Sequence, residues 1–564
     1  MIKRLGQRLS LNTLLKRIAL SLSIFLLGTV TLIASPAWMF PLDSSIYEDL
    51  AGLFISQGLA QPSTAKPWSK DEVGFLLDKV NAAQLSGVER LLYNRIRLIV
   101  DKQDSVTSIG FESSLETYIH TNIDSFTTED DWVYSYLQRK PLISLPVNLS
   151  LGPFYGHMHF PLGNRNFDEL DDIVHGKSEL YGTNAMTTNL PIQFWGSDKL
   201  YLDAGIPYRA FISAGGAGWL LQVGRERLSW GPGESGNFMI GDHLQYHNQA
   251  RLAAYKNNFK YSFLTLFFPH PDEIWDFSLD SDQARPLIGL KMFMAHRFEW
   301  RILDNALGIA LNEGIMYQHE DGILDLRILN PLMLFHNYFV RQHANSLASL
   351  EIDYALGKGF NIYGQVAVDE LSFGSTELNL DDEDKHPNGR ALMLGLKIAK
   401  PFKNGILHGH LEGAYTDPYL YLRSIEGDSS QALDADNLSY VVAIRRWMSD
   451  KVYYDQSFMG YQYGGDAIVL DGSLGFRVPG VWQVRGNLFA MLHGEVDMNT
   501  LWELGELDLA PTGSPTIFGQ IGISASNQLG NWNVYGSFDY LLKMQNYKAL
   551  HDVQFVIGTT YSYR

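Results

Sequence analysis

Three groups of side chains in this 564-residue sequence have the types and spacing that chemistry needs. The first is Arg225, Arg227 and Trp230, running into Gly231-Pro232-Gly233. An indole offers an apolar face to a sugar ring, and guanidinium forks meet carboxylates or phosphates in planar, bidentate fashion. The same residues also suit a sharp turn with an interface tryptophan and arginines paired to interior carboxylates. The second group is Glu299 and Arg301, on one strand face with Arg297. Such a charge ladder can line a glycan path or a pore, or its members can neutralise one another. The third is His408, His410 and Glu412, whose alternate positions project from one strand face. Two imidazoles and a carboxylate suit a divalent metal. Same-face neighbours lie about 7 Å apart along a strand, so one ion would need further ligands from adjacent strands. A polar barrel interior produces the same pattern without a metal.

Other chemistries find no carrier. There is no Cys, which removes disulfides and thiolate metal sites. Lys and Arg number 44 against 62 Asp and Glu, so no basic surplus exists to neutralise nucleic-acid phosphates. No phosphate loop or dinucleotide fingerprint is present. His319-Glu320 lacks the second His of a zinc-protease helix, and no G-x-S-x-G elbow occurs. A Ser–His triad or a carboxylate pair needs no fixed spacing, so a hydrolase stays open. No catalytic residue, cofactor or resident metal is assigned.

The elements that must position these groups are legible in the hydrophobic pattern. Lys3, Arg4, Arg8, Lys16 and Arg17 precede an apolar run from Ile18 to Ile33, and Ser35-Pro36-Ala37 offers a cleavage site. This is the layout of a secretory signal peptide over residues 1–37. Cleavage removes five cations and no anion, taking the net charge from −18 to −23. Residues 38–104 read as a small helical periplasmic module. Ile46, Leu50, Leu53 and Phe54 follow a possible cap at Ser44-Ser45. Ser69-x-x-Glu72 and Ser86-x-x-Glu89 are capping boxes. The second leads a predicted face of Leu91, Leu92, Ile96 and Ile99.

From about Val106 the period changes from 3.6 to 2. Ile143, Leu145, Val147, Leu149 and Leu151 alternate with polar residues and Pro146. Leu350, Ile352, Tyr354 and Leu356 oppose Glu351 and Asp353. Gly357-Lys358-Gly359, Asn404-Gly405 and Gly530-Asn531 mark hairpins, Asn404-Gly405 as a type I′ turn. Segments of about ten residues, apolar on one face and joined by turns, are the pattern of a transmembrane β-barrel. Residues 105–564 thus predict an all-β barrel of about 18 antiparallel strands, within 16–20. A soluble β-sandwich or propeller also alternates. Only 19% of residues are charged, which favours the membrane. The acidic stretches 164–183 and 378–389 are expected as outer loops, with Asp381, Asp382, Glu383 and Asp384 at a solvated tip.

Several short strings add a family likeness. They are Tyr47-Glu48-Asp49-Leu50 and Pro67-Trp68-Ser69-Lys70-Asp71-Glu72, then Gly224-Arg225 with Leu228-Ser229-Trp230-Gly231-Pro232-Gly233. Further on come Leu329-Asn330-Pro331, Asn345-Ser346-Leu347, Tyr363-Gly364-Gln365 and Asp369-Glu370. In this order the chain resembles the capsule assembly protein Wzi family of outer-membrane barrels, over about residues 45–415. The resemblance implies a non-enzymatic role in holding or assembling surface polysaccharide. It also implies the outer membrane, its lipid and the barrel assembly machinery as partners, although Arg564 follows the aromatic Tyr563 that would mark the assembly signal. Nucleic acid is not among them. Arg225, Arg227, Trp230, Glu299 and Arg301 are then the glycan-binding candidates. A porin-like diffusion channel and a barrel-borne lipid or glycan hydrolase are the alternatives.

Overall fold

The computed structural model describes residues 36–85, 87–102, 105–126, 133–134, 138–163, 185–190, 208–271, 289–330, 344–370, 387–422, 438–448, 451–501 and 509–563. The signal-peptide stretch up to 35, Ser86, and the acidic loops 164–183 and 378–386 lie outside them. Three α-helices come first: α1, Ile46–Gln57; α2, Lys70–Leu77; α3, Gly87–Asp101. Among the described residues, eighteen antiparallel strands then close into a barrel. β1 covers Thr107–Ile109 and Phe111–His120, followed by β2 Ile143–Leu151, β3 Phe154–Leu162, β4 Ala210–Gly216, β5 Trp219–Glu226 and β6 His247–Lys256. Next are β7 Phe259–Phe268, β8 Leu290–Ile302, β9 Leu307–His319, β10 Ala344–Gly357, β11 Phe360–Glu370 and β12 Gly389–Phe402. The last are β13 Gly405–Thr416, β14 Ala467–Val478, β15 Trp482–His493, β16 Thr516–Leu529, β17 Trp532–Gln545 and β18 Lys548–Tyr563. Each strand pairs with its sequence neighbours, and β18 returns to β1 with Tyr563 opposite Phe111.

Closure follows from the solvent on the outside. Hydrocarbon offers no partner to a backbone N–H or C=O, so an open edge is not tolerated. The predicted alternation sets the faces: Leu350, Ile352, Tyr354 and Leu356 point outward and are exposed, whereas Glu351 and Asp353 point inward and are buried. At one rim Phe259 packs against Trp300, Phe476 against Trp482, and Trp532 against Tyr561, an aromatic girdle of the kind found at a membrane interface. The tight turns lie at that rim, as does the helical module: Ala60 N–H donates to Asn305 O in one turn, and Lys79 Nζ to Asn257 O in another. Short turns mark the periplasmic end.

Three local expectations change. The hairpin between β12 and β13 turns on Lys403 and Asn404, with Phe402 opposite Gly405 and only Lys403 of the pair at positive φ. Gly405 is there for clearance, since a Cβ would sit 2.4 Å from the Phe476 ring. In the first capping box Ser69 Oγ accepts from Glu72 N–H as predicted, but the Glu72 carboxylate pairs with Lys260 of β7 instead of returning to the cap. On α3 the buried edge is Val88, Leu92 and Ile96, and Leu91 and Ile99 face out. That edge is the one that meets α1 and β12.

The lumen is filled. Residues 60–68 enter it from the periplasmic end, and Ala65–Lys66 pairs antiparallel with Ser229–Trp230. From the outer end come 228–246, 438–448 and 451–466, the last two carrying a hairpin of Val441–Met448 on Lys451–Phe458. Trp230, Phe238, Met239, Tyr421, Tyr440 and Tyr461 form one apolar core with the inward-facing Leu266, Phe293, Met316, Leu347 and Tyr363. The inward positions of β15–β17, such as Asn487, Gln520, Ser524 and Asn533, are polar and only half-buried.

Candidate functional site

The inward faces of β7–β11 form a charged seat for residues 60–68. Arg297 is its centre. Its Nε donates to Glu299 at 2.9 Å, Nη1 to Asn312 at 2.8 Å, and Nη2 to Glu351 at 2.9 Å and Thr64 at 2.5 Å. Arg301 donates to the backbone oxygens of Gln61 and Pro62, each at 3.1 Å, and lies 3.6 Å from Glu299. Ser63 Oγ donates to Glu299 at 2.9 Å, Thr64 Oγ1 to Glu351 at 2.9 Å, and Gln61 N–H to Asp353 at 2.6 Å. Alternation places Arg297, Glu299 and Arg301 on one face, as the sequence indicates. It could not show that a segment more than 200 residues away would occupy that face. The ladder binds its own chain.

Trp230 lies deeper still. It is 0% exposed, its backbone N–H donates to Ile240 O at 3.1 Å, and its ring centroid is 5.9 Å from the Arg297 guanidinium. The Gly231-Pro232-Gly233 turn closes on Asn237, which accepts from Gly233 N–H at 2.9 Å and donates to Ser229 Oγ at 3.2 Å. Gly231 has φ +141 and stands where a Cβ would lie 2.0 Å from Asn237 Oδ1, so both conformation and space require glycine. A sugar could stack on Trp230 only if the inserted loops left the lumen.

The two arginines are at the outer end. Arg225, the penultimate residue of β5, lies 4.9 Å from the Tyr208 ring and donates to Tyr246 O at 3.0 Å. Arg227 donates to Leu244 O at 3.3 Å and Asp242 O at 2.5 Å, bracing the loop that returns to β6. Both are half-buried at the outer end of β5, Arg225 on the outward face with Leu221 and Val223. The candidates thus divide, with Arg225 and Arg227 at the rim and Trp230, Glu299 and Arg301 inside the seal.

His408, His410 and Glu412 share the inward face of β13, yet each has its own neighbours. Glu412 accepts from Glu234 N–H and Ser235 N–H, each at 2.9 Å, and from Tyr363 OH at 2.6 Å. His410 Nε2 contacts Asp471, and Ser473 Oγ lies 3.0 Å from its Nδ1, with Glu234 at 3.9 Å from the same nitrogen. Lys397 Nζ completes the network 2.7 Å from Glu234. Burial alone would raise the Glu234 carboxyl, but Lys397 and then His410 outweigh it and bring it down to about 2. Among the described residues no three His, Asp or Glu side chains converge on a metal-sized point.

Two lysines escaped the sequence reading. Lys260 donates to Ser63 Oγ at 2.9 Å and pairs with Glu72, tying the module to β7. Lys291 is fully buried in β8. Its signal was present: one cation inside the apolar run Leu290-Lys291-Met292-Phe293-Met294-Ala295.

No protein-family model matches the chain, and no curated protein matches it in sequence. Solved structures do match. Wzi of Escherichia coli, an outer-membrane protein involved in group 1 capsule assembly and a carbohydrate-binding β-barrel, overlays with a TM-score of 0.58. The overlay covers 93% of this chain and 99% of that one at 14% identity. The fold is that of Wzi. Looser overlays are found with OpdQ of Pseudomonas aeruginosa, TM-score 0.39 at 8% identity, covering 82% of this chain and 99% of that one. The outer-membrane channel DcaP of Acinetobacter baumannii gives 0.33 at 8%, covering 81% and 97%. These two carry no argument. The likeness to Wzi concerns the backbone path of the barrel fold.

Proposed function

We propose that this chain is a non-enzymatic factor that attaches or assembles capsule-type polysaccharide at the outer membrane. The filled lumen carries the reading. An apolar core from β6 to β14, with a charged seat beneath it, opposes free diffusion and makes the outer mouth the working surface. The carbohydrate binding printed for Wzi, whose fold this is, points the same way. Arg225 and Arg227 are the residues that meet acidic groups on the glycan. Trp230, Glu299 and Arg301 act behind them by fixing the loop from which Arg227 projects. Export by the 1–37 signal, cleavage after Ala37 and insertion by the barrel assembly machinery complete the proposal. The half-buried polar wall of β15–β17 favours a second reading, a narrow path for small solutes beside the plug.

The test is deletion of the gene in a capsulated host, followed by separation of cell-bound from released glycan. The proposal expects glycan to move into the medium, with restoration by the wild-type gene. Unchanged retention would overturn it.

A further inference from the structure

The outer end of the β6–β9 wall holds a buried lysine that no salt bridge reaches among the described residues. Lys291 is the second residue of β8, points inward with Phe293 and Ala295, and is 0% exposed. Among the described residues its Nζ has no hydrogen-bond partner and no salt bridge. Register places it opposite Phe268 of β7 on one side and Gln318 of β9 on the other. Phe268 in turn packs on His247 of β6 with ring centroids 5.6 Å apart. His247 spends its Nδ1 on Gln245 O at 2.7 Å, and its buried Nε2 has no partner among the described residues. One inward position deeper on β6, the Gln249 side chain is 2% exposed, and among the described residues neither its oxygen nor its nitrogen is bonded. Glu226, opposite His247, is already held by the Arg209 fork at 2.7–2.9 Å, and on the other side His270 stands within reach of both the Lys291 and the Glu320 charge.

An isolated ion costs several kcal/mol to bury, so a buried lysine either gives up its proton or takes a partner or a ligand. The cluster offers a cation and a free amide, flanked by imidazole and phenyl faces. This set suits an anionic group on a ring-bearing molecule better than a neutral sugar. We propose that Lys291 anchors a subsite at the outer end of the lumen that takes a carboxylate or phosphate substituent of the bound polysaccharide, with Gln249 as a second donor and Phe268 as the apolar floor. The inference rests on the attachment reading and narrows it to acidic glycans.

The experiment uses the full-length barrel purified in detergent and titrated with two oligosaccharides of equal length, one of glucuronic-acid repeats and one of neutral glucose. Inorganic phosphate serves as competitor. Lys291→Met and Lys291→Arg are compared with wild type, each first checked for heat-modifiable gel migration. Methionine keeps the bulk and removes the buried charge, so this variant is expected to fold. The acidic oligomer should lose on the order of 10-fold or more in affinity in Lys291→Met, the scale of one charged hydrogen bond, with partial recovery in Lys291→Arg. The neutral oligomer should be unaffected. Equal binding of the acidic oligomer by wild type and Lys291→Met would overturn the subsite and leave the attachment reading standing. Phosphate that stabilises wild type but not Lys291→Met, with no oligomer bound by either, would give the site to a free anion and overturn the glycan ligand. Binding of neither probe by any form would remove both.

Discussion

The guanidinium of Arg297 lies 5.9 Å from the centre of the Trp230 ring, both side chains fully buried. One belongs to the barrel wall and the other to a loop that starts at the outer end. Their meeting in mid-lumen, with Thr64 rising from below to the same guanidinium, makes a seal from three distant parts of the chain.

Arg297→Ala should therefore weaken the whole assembly. It leaves Glu299 and Glu351 buried without their partner, a loss of about 3–5 kcal/mol. The midpoint of heat-modifiable gel migration should fall clearly. A change within error would mean that the carboxylates are not held as described.

Trp230→Ala should act on the seal rather than on one glycan contact. Removing a fully buried indole from a core costs about 3–5 kcal/mol. Thermal unfolding should shift strongly, whereas Arg227→Ala should lower polysaccharide affinity with little shift. The reverse pattern would return Trp230 to the sugar-contacting surface.

Gly395→Ala should disturb β11 and β12. A Cβ there would lie 2.2 Å from the Tyr363 ring, whose hydroxyl donates to Glu412 at 2.6 Å. Overpacking of this kind costs about 1–3 kcal/mol. Reduced yield of folded barrel in outer-membrane fractions is the expected readout, and wild-type yield and melting would contradict the close approach.

Acid should loosen the plug and the module. Burial favours protonation of Glu48, but Arg485 and Arg477 outweigh it and lower its carboxyl. Glu234 is lowered to about 2 from 4.5 by Lys397, against burial. A carboxyl lowered in the folded state adds stability above its unfolded value, and that stability is lost as pH falls through the folded value. Asp49 runs the other way, since burial outweighs Arg477 and raises it. Intrinsic tryptophan fluorescence should hold near neutral pH and change between about pH 4.5 and 2. In Lys397→Met burial should carry the Glu234 carboxyl back toward its unfolded value, so the share of the change due to this group should shrink, and identical curves would remove Glu234 from the account.

Much of this barrel is written in its alternation. The outward Leu350, Ile352, Tyr354 and Leu356 and the inward Glu351 and Asp353 follow directly from a period of two, and the strand count follows from length. What Arg297, Glu299 and Arg301 touch does not, because their partners Gln61 to Thr64 arrive by tertiary insertion, which leaves no local pattern. Trp230 beside glycines looks like an exposed turn, and only the packing of the loop across the lumen shows that it is core. The β12–β13 turn slipped by one residue because Gly405 answers to Phe476 on the neighbouring strand, not to the turn.

The seal itself is the central claim, and single-channel recording of the purified chain in a planar bilayer tests it most directly. The wild-type barrel should give no large steady steps, and Arg297→Ala should give frequent openings as the seat for residues 60–68 fails. Porin-sized steady conductance from the wild-type protein would contradict the account.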